Sequence, residues 1–169
     1  MRRVLTSCPH IDNIKIEAEI EIKNQKLYLQ FSLLGSTDIY TFESFKAIKR
    51  ADNLWEKSCF ELFIANRISN AYWEINISST GEWNLYQFDA YKQGMREIEL
   101  TTQPLIQTQQ DQDSFTISFE LDIAELNLSD SLNINLATIL LTKENSRTFW
   151  TINPVEKPDF HNQNGFINF

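Results

Sequence analysis

The sequence predicts an all-β protein, an antiparallel two-sheet β-sandwich carrying at most one or two short helices. Two observations carry that expectation. Apolar and polar residues alternate with a period of two in many short runs, and short polar or glycine-containing connections separate the runs. Many such strands with little helix argue for two sheets packed face to face or for a barrel.

The clearest run is Ile14, Ile16, Ala18, Ile20 and Ile22, interleaved with Lys15, Glu17, Glu19 and Glu21. That pattern makes a strand with one wet face. Leu27, Leu29, Phe31 and Leu33 alternate again after Asn24-Gln25, so the two runs form a hairpin with a polar turn. Residues 38–57 read mostly as loop. In the strand over 58–65, Phe60, Leu62 and Ile64 share one face, while Cys59, Glu61 and Phe63 share the other. The strand over 72–78 turns Trp73, Ile75 and Ile77 one way and Tyr72, Glu74, Asn76 and Ser78 the opposite way. Ser79-Thr80-Gly81-Glu82 then reads as a hairpin turn before a strand over 83–89. Further strands are expected over 114–121, 132–142 and 148–152, with a short one over 166–169. Asp122 with Glu125 three residues on has capping-box spacing, which predicts one or two helical turns there.

The 169 residues suit a single domain spanning 1–169, and 42% hydrophobic with 12% aromatic composition suits a packed core. A net charge of −8 and a pI near 4.8 make nucleic acid and anionic membranes unfavourable partners, since both are bound through clustered Lys and Arg. The densest basic group, Lys46, Lys49 and Arg50, runs straight into Asp52 and reads as solvated surface. The N-terminal residues lack the apolar stretch of a secretory signal, and 136–141 is far shorter than the roughly 20 residues that span a bilayer, so a cytoplasmic protein is expected. Cys8 and Cys59 are then expected as free thiols, Cys59 as a small buried hydrophobe.

Glu61, Tyr72, Glu74 and Asn76 are polar or amphipathic where a plain core strand would carry Val or Ile. A sheet face bearing them suits a carbohydrate, because flat rings stack on sugar C–H surfaces while carboxylates and amides bond hydroxyls. Trp55, Trp83 and Trp150 are candidate stacking faces and Arg96 a candidate rim residue; the plainer reading packs each Trp in the core. Glu61 and Glu74 also admit a glycosidase acid and base, against the commoner reading of solvated strand-face glutamates. Asp159-Phe160-His161 has a spacing compatible with metal binding, or with an ordered surface loop. Met95 and His161 offer an alternative axial pair for haem, and Ca²⁺ in an acidic loop is the other cofactor left open. No hydrolase elbow of the Gly-x-Ser-x-Gly kind is present.

Several blocks together carry a resemblance: Asp52-Asn53-Leu54-Trp55, Cys59-Phe-Glu-Leu-Phe63, Tyr72-Trp-Glu-Ile-Asn76, Ser79-Thr-Gly-Glu-Trp83, Tyr86-Gln-Phe-Asp89, Tyr91-Lys-Gln-Gly-Met95-Arg96 and Lys157-Pro-Asp-Phe-His161. The chain resembles the bacterial DOMON-like proteins, a group similar to the family-nine carbohydrate-binding modules and more distantly to haem- and sugar-binding DOMON sandwiches. The resemblance implies a non-catalytic ligand site on a concave sheet face. It also implies a pair of clamping tryptophans, Trp55 matching the first and Trp150 standing as a candidate for the second. A haem-binding electron-transfer domain and a protein-interaction domain are the alternatives.

Overall fold

The computed structural model describes residues 1–154, 156 and 158–169. Thirteen strands are found there: β1 (Arg2–Ser7), β2 (Ile14–Lys23), β3 (Lys26–Gly35), β4 (Lys49–Arg50), β5 (Cys59–Asn66), β6 (Tyr72–Ser78), β7 (Glu82–Phe88), β8 (Arg96–Glu97), β9 (Leu105–Asp111), β10 (Ser114–Asp122), β11 (Leu132–Leu141), β12 (Arg147–Thr151) and β13 (Ile167–Asn168). Hydrogen bonds run along the path β4-β7-β6-β5-β11-β12-β1-β2-β3-β10-β9, with β8 added to β7 and β13 to β11.

The all-β expectation holds, with two differences from a pair of separate antiparallel sheets. Arg2, Arg3, Val4 and Leu5 of β1 pair with β2 while Thr6 and Ser7 pair with β12, so one strand carries the ladder continuously from one half to the other. The pairing of β4 with β7 is parallel.

The β2–β3 hairpin turns on Asn24 and Gln25, both at positive φ (52° and 62°), the conformation whose twist matches the flanking strands. Its register places Ala18 beside Phe31, and Phe31 beside Ile117 of β10. Every second residue of these strands therefore enters one core, where it meets Phe60, Leu62, Trp73, Ile75, Trp83, Leu136 and Trp150 from the other half. Phe31–Phe60, Phe60–Phe115 and Trp83–Phe119 ring contacts, at 5.3, 5.7 and 6.1 Å, join the halves. Each large apolar side chain so placed contributes about 1.5–3 kcal/mol relative to exposure.

The expected helix after β10 is a single 3₁₀ turn over Ala124–Leu126, and no α-helix occurs among the described residues. Asp122 does accept from the Ala124 N–H at 3.0 Å, but the Glu125 carboxylate turns away to the Thr101 N–H and hydroxyl. The reciprocal half of the capping box is missing, and Asn127 in the left-handed conformation ends the turn. Strand β9 escapes the alternation test because it lies at the end of the path, where of its seven residues only Ile106 is buried. Between β6 and β7, Gly81 sits at φ 89°; a Cβ there would lie 2.7 Å from the Ala47 carbonyl oxygen, so the turn requires glycine.

Candidate functional site

Parity along β5, β6 and β7 sends Phe60, Leu62, Ile75, Ile77, Trp83 and Leu85 into the core and turns Glu61, Phe63, Tyr72, Glu74, Asn76, Asn84 and Tyr86 onto the opposite face. Cross-strand register sets that face in rows. Asn84, Asn76, Glu61 and Ala137 form one row; Tyr86, Glu74, Phe63 and Asn135 form the next. Glu61 and Glu74 are thus diagonal neighbours on adjacent strands, close enough for their side chains to interact.

This second face is covered rather than open. From one side, residues 158–166 fold across it. The Asn135 amide donates to the Phe160 carbonyl at 3.1 Å, the Gln163 amide to the Asn70 carbonyl at 2.7 Å, and Phe160, His161 and Phe166 all pack on Phe63. From the other side comes the 3₁₀ turn Leu54–Glu56, entered through Asn53 in the left-handed conformation. It holds Trp55 edge-on to Tyr86 at 5.9 Å. Asp52 anchors this turn, accepting from the Tyr86 hydroxyl at 2.7 Å and the Asn84 amide at 3.1 Å.

Between the two covers lies a cavity of about 400 Å³. Glu61 and Glu74 form its polar floor; Trp55, Phe88, Ile139, Phe149 and Phe160 wall it; Lys92, Met95, Asp159 and His161 stand round it. A larger hollow of about 530 Å³ lies on the outer surface of β2, β3 and β10, but there Lys26 and Glu120 pair at 2.9 Å and Arg2 with Glu17 and Glu19. Most of its charges are paired at an exposed surface, whereas the smaller cavity has two buried carboxyls with no cation paired to them among the described residues.

Glu61 and Glu74 are only 2% and 4% exposed. Burial first, and then the neighbouring Glu74 carboxylate, pushes Glu61 well above the carboxylate range. Burial pushes Glu74 up to about 7, opposed by the Asn76 amide, which donates to it at 2.7 Å. Near neutrality the two carboxyls therefore do not both ionise. Burial also lowers His161 to about 4, helped by Lys92 and opposed by Asp159. Neutral His161 shares a hydrogen bond at Nδ1 with the Tyr72 hydroxyl, 2.8 Å away, whose direction follows the ring's tautomer, and its Nε2 lies 3.9 Å from Glu74. That contact is accordingly no ion pair at neutral pH. Tyr72 also receives the Lys92 N–H at 3.2 Å and stacks on Phe88 at 4.7 Å, so it props the wall instead of lining the cavity.

Of the residues singled out in the sequence, Trp55, Glu61, Glu74, Met95 and His161 come together at the cavity, with Tyr72 and Asn76 directly behind them. Trp83 and Trp150 do not: both have the parity of the core, are 2% and 1% exposed, and present no stacking face. Arg50 lies 4.1 Å over the Trp83 ring, and the Trp150 indole donates to Thr148 at 2.9 Å. Arg96 is exposed on β8 and bonds Asp89 and Gln87, away from the cavity lining. Lys157, in the last block of the resemblance, lies outside the described residues. Haem fits poorly: the only His161 nitrogen not held by Tyr72 faces Glu74, and the floor beneath a porphyrin would be two carboxyls. Among the described residues no three His, Cys, Asp or Glu side chains converge as a metal site. Cys59 and Cys8 are free thiols, Cys59 buried. Sequence reasoning missed Phe88, Lys92 and Phe149; Phe149 could have been placed from its parity with Thr151 on β12, and Lys92 had no signal.

No protein-family model and no curated protein sequence matches the chain. Its fold does match solved structures over almost its full length. A proposed carbohydrate-binding protein from Bacteroides uniformis ATCC 8492 superposes with a TM-score of 0.70 at 11% identity, covering 99% of this chain and 84% of that one. A family 9 carbohydrate-binding module from Caldicellulosiruptor kristjanssonii in complex with cellotriose gives 0.59 at 8% identity, covering 99% and 80%. The same organism's family 9 module with glucose gives 0.55 at 8%, covering 98% and 82%. The chain therefore shares its fold with these structures, and a cavity of about 400 Å³ lies on one of its sheet faces.

Proposed function

We propose that the protein is a non-catalytic binding domain whose ligand, a carbohydrate or similar polyhydroxylated molecule, enters the cavity between Trp55 and residues 158–161. The observation that carries this reading is the cavity's make-up: hydrogen-bonding carboxyls at the floor, aromatic and aliphatic walls, and a volume suited to one or two sugar rings. A protonated carboxyl donates to a sugar oxygen while its ionised neighbour accepts from a hydroxyl, so a partly protonated pair recognises both. Trp55 offers the ring for stacking. The shared fold supports the same class of ligand, since family 9 modules with this architecture bind cellotriose and glucose. On this reading the two halves joined by β1 act as the two sheets of a sandwich, one of them bearing the site.

Calorimetric titration with glucose, cellotriose and a wider glycan panel tests it. Binding to at least one sugar, weakened tenfold or more by Trp55→Ala in a folded variant, supports the reading. Absence of heat across the panel at millimolar sugar overturns it.

A further inference from the structure

We propose that the floor of this cavity selects a ligand bearing a protonated primary amine, an amino sugar of the hexosamine kind, over the corresponding neutral sugar. The inference rests on the carbohydrate reading for the sugar ring alone; the amine preference follows from the two carboxyls.

Glu61 is almost wholly buried, faces the cavity, and among the described residues meets no donor other than the weak thiol of Cys59. Glu74 has one donor on one oxygen, the Asn76 amide, and its other oxygen looks toward His161 across 3.9 Å. Buried carboxylates are ordinarily paired with a cation, because taking an unpaired charge out of water costs several kcal/mol. Here the described residues supply none. Lys92, the one described cation lining the cavity, is committed to Asp159 at 2.9 Å. The charged and titratable groups that meet at the site are thus Glu61, Glu74, Asp159, Lys92, His161 and the Cys59 thiol, and the glutamate pair, sharing at most about one negative charge near neutrality, carries the charge left unbalanced.

A neutral sugar can bond these oxygens but leaves the charge unbalanced. An ammonium supplies three donors together with the missing positive charge, and it would lie against aromatic faces, Trp55 and Phe160 among them, that attract cations. A metal ion is a poorer occupant, since no set of three ligating side chains converges among the described residues. An acyl group on the nitrogen removes the charge and turns an amine into an amide, which distinguishes glucosamine from N-acetylglucosamine at this floor.

The test is titration of the full chain with glucosamine, glucose, N-acetylglucosamine and cyclohexylamine in phosphate near pH 7, where no buffer amine competes. The expected result is glucosamine binding at least tenfold tighter than glucose and N-acetylglucosamine, with the glucosamine-to-glucose ratio collapsing toward one in Glu61→Gln. Should that variant not fold, Glu74→Gln carries the same expectation. Equal affinity for glucosamine and glucose overturns the amine preference and leaves sugar binding intact. Cyclohexylamine binding as tightly as glucosamine supports the preference and overturns the sugar reading. No binding by either amine overturns the preference whatever the neutral sugars do.

Discussion

Glu61 and Glu74 sit diagonally across the β5–β6 pair with their carboxyls buried at the floor of one cavity, and no described cation is paired with either. Their effect on stability has a definite sign. In the unfolded chain each titrates near the usual 4.5; in the folded chain each holds its proton to higher pH, Glu74 to about 7. Their contribution is whole below about 4.5 and is lost as pH rises through the folded values. His161 works the other way, its neutral folded form contributing above 6.5 and losing that contribution as pH falls toward 4. Between about 4.5 and 6.5 the folded chain keeps two carboxyl protons against one imidazole proton in the unfolded chain, so the carboxyls prevail. Below that window Glu43, held down to about 2 by Lys46 and Lys57, starts to lose its pairing. Urea melts across pH are expected to show greatest stability near pH 5 and a decline toward pH 8.

Replacing Glu61 with Gln keeps the shape and removes the buried charge. The variant should be more stable than the natural chain at pH 8 by on the order of 1–3 kcal/mol and about equal to it at pH 5. Urea midpoints at the two pH values check this, and an equal loss at both would mean that Glu61 makes a stabilising bond that Gln cannot.

Trp55→Ala and Trp83→Ala separate the two faces of the sheet. Trp55 is only partly buried, and its loss should weaken ligand binding tenfold or more with modest cost to folding. Trp83 is sealed against Phe119, and its loss should cost about 3–5 kcal/mol of stability. Thermal melts beside ligand titration of both variants give the comparison.

Much of this was legible in the sequence. Alternation in 14–22, 58–65 and 72–78 assigns Ile16, Phe60 and Ile75 to the core and puts Glu61, Tyr72, Glu74 and Asn76 on a common face. What covers that face was not legible. A period of two states which residues share a side and is silent about the segment that folds over it. The closure by Phe160 and His161, and the anchoring of the Trp55 turn by Asp52, depend on contacts between residues far apart in the chain. Trp83 could have been read correctly, because it shares parity with Leu85 two residues on.

Tyr72→Phe tests the cover. It removes the hydroxyl that hydrogen-bonds His161 Nδ1 and receives the Lys92 N–H, while keeping the ring stacked on Phe88. The expected cost is about 1–2 kcal/mol in stability, with the His161 imidazole shifted in its NMR titration because Nδ1 has lost its hydrogen-bond partner.

Gly81→Ala should destabilise by about 1–2 kcal/mol or more, since the added methyl both strains a positive φ and meets the Ala47 carbonyl and the Phe45 ring. Circular dichroism melts suffice to read it.

Glu61 and Glu74 form a cavity-facing floor that is partly protonated near neutrality. Carboxyl-carbon NMR of the ¹³C-glutamate-labelled protein, titrated across pH with and without saturating glucosamine or cellotriose, addresses it directly. Both resonances should titrate well above 4.5 in the free protein and move when ligand is added. Two carboxyls that titrate near 4.5 and ignore every sugar that binds would contradict it.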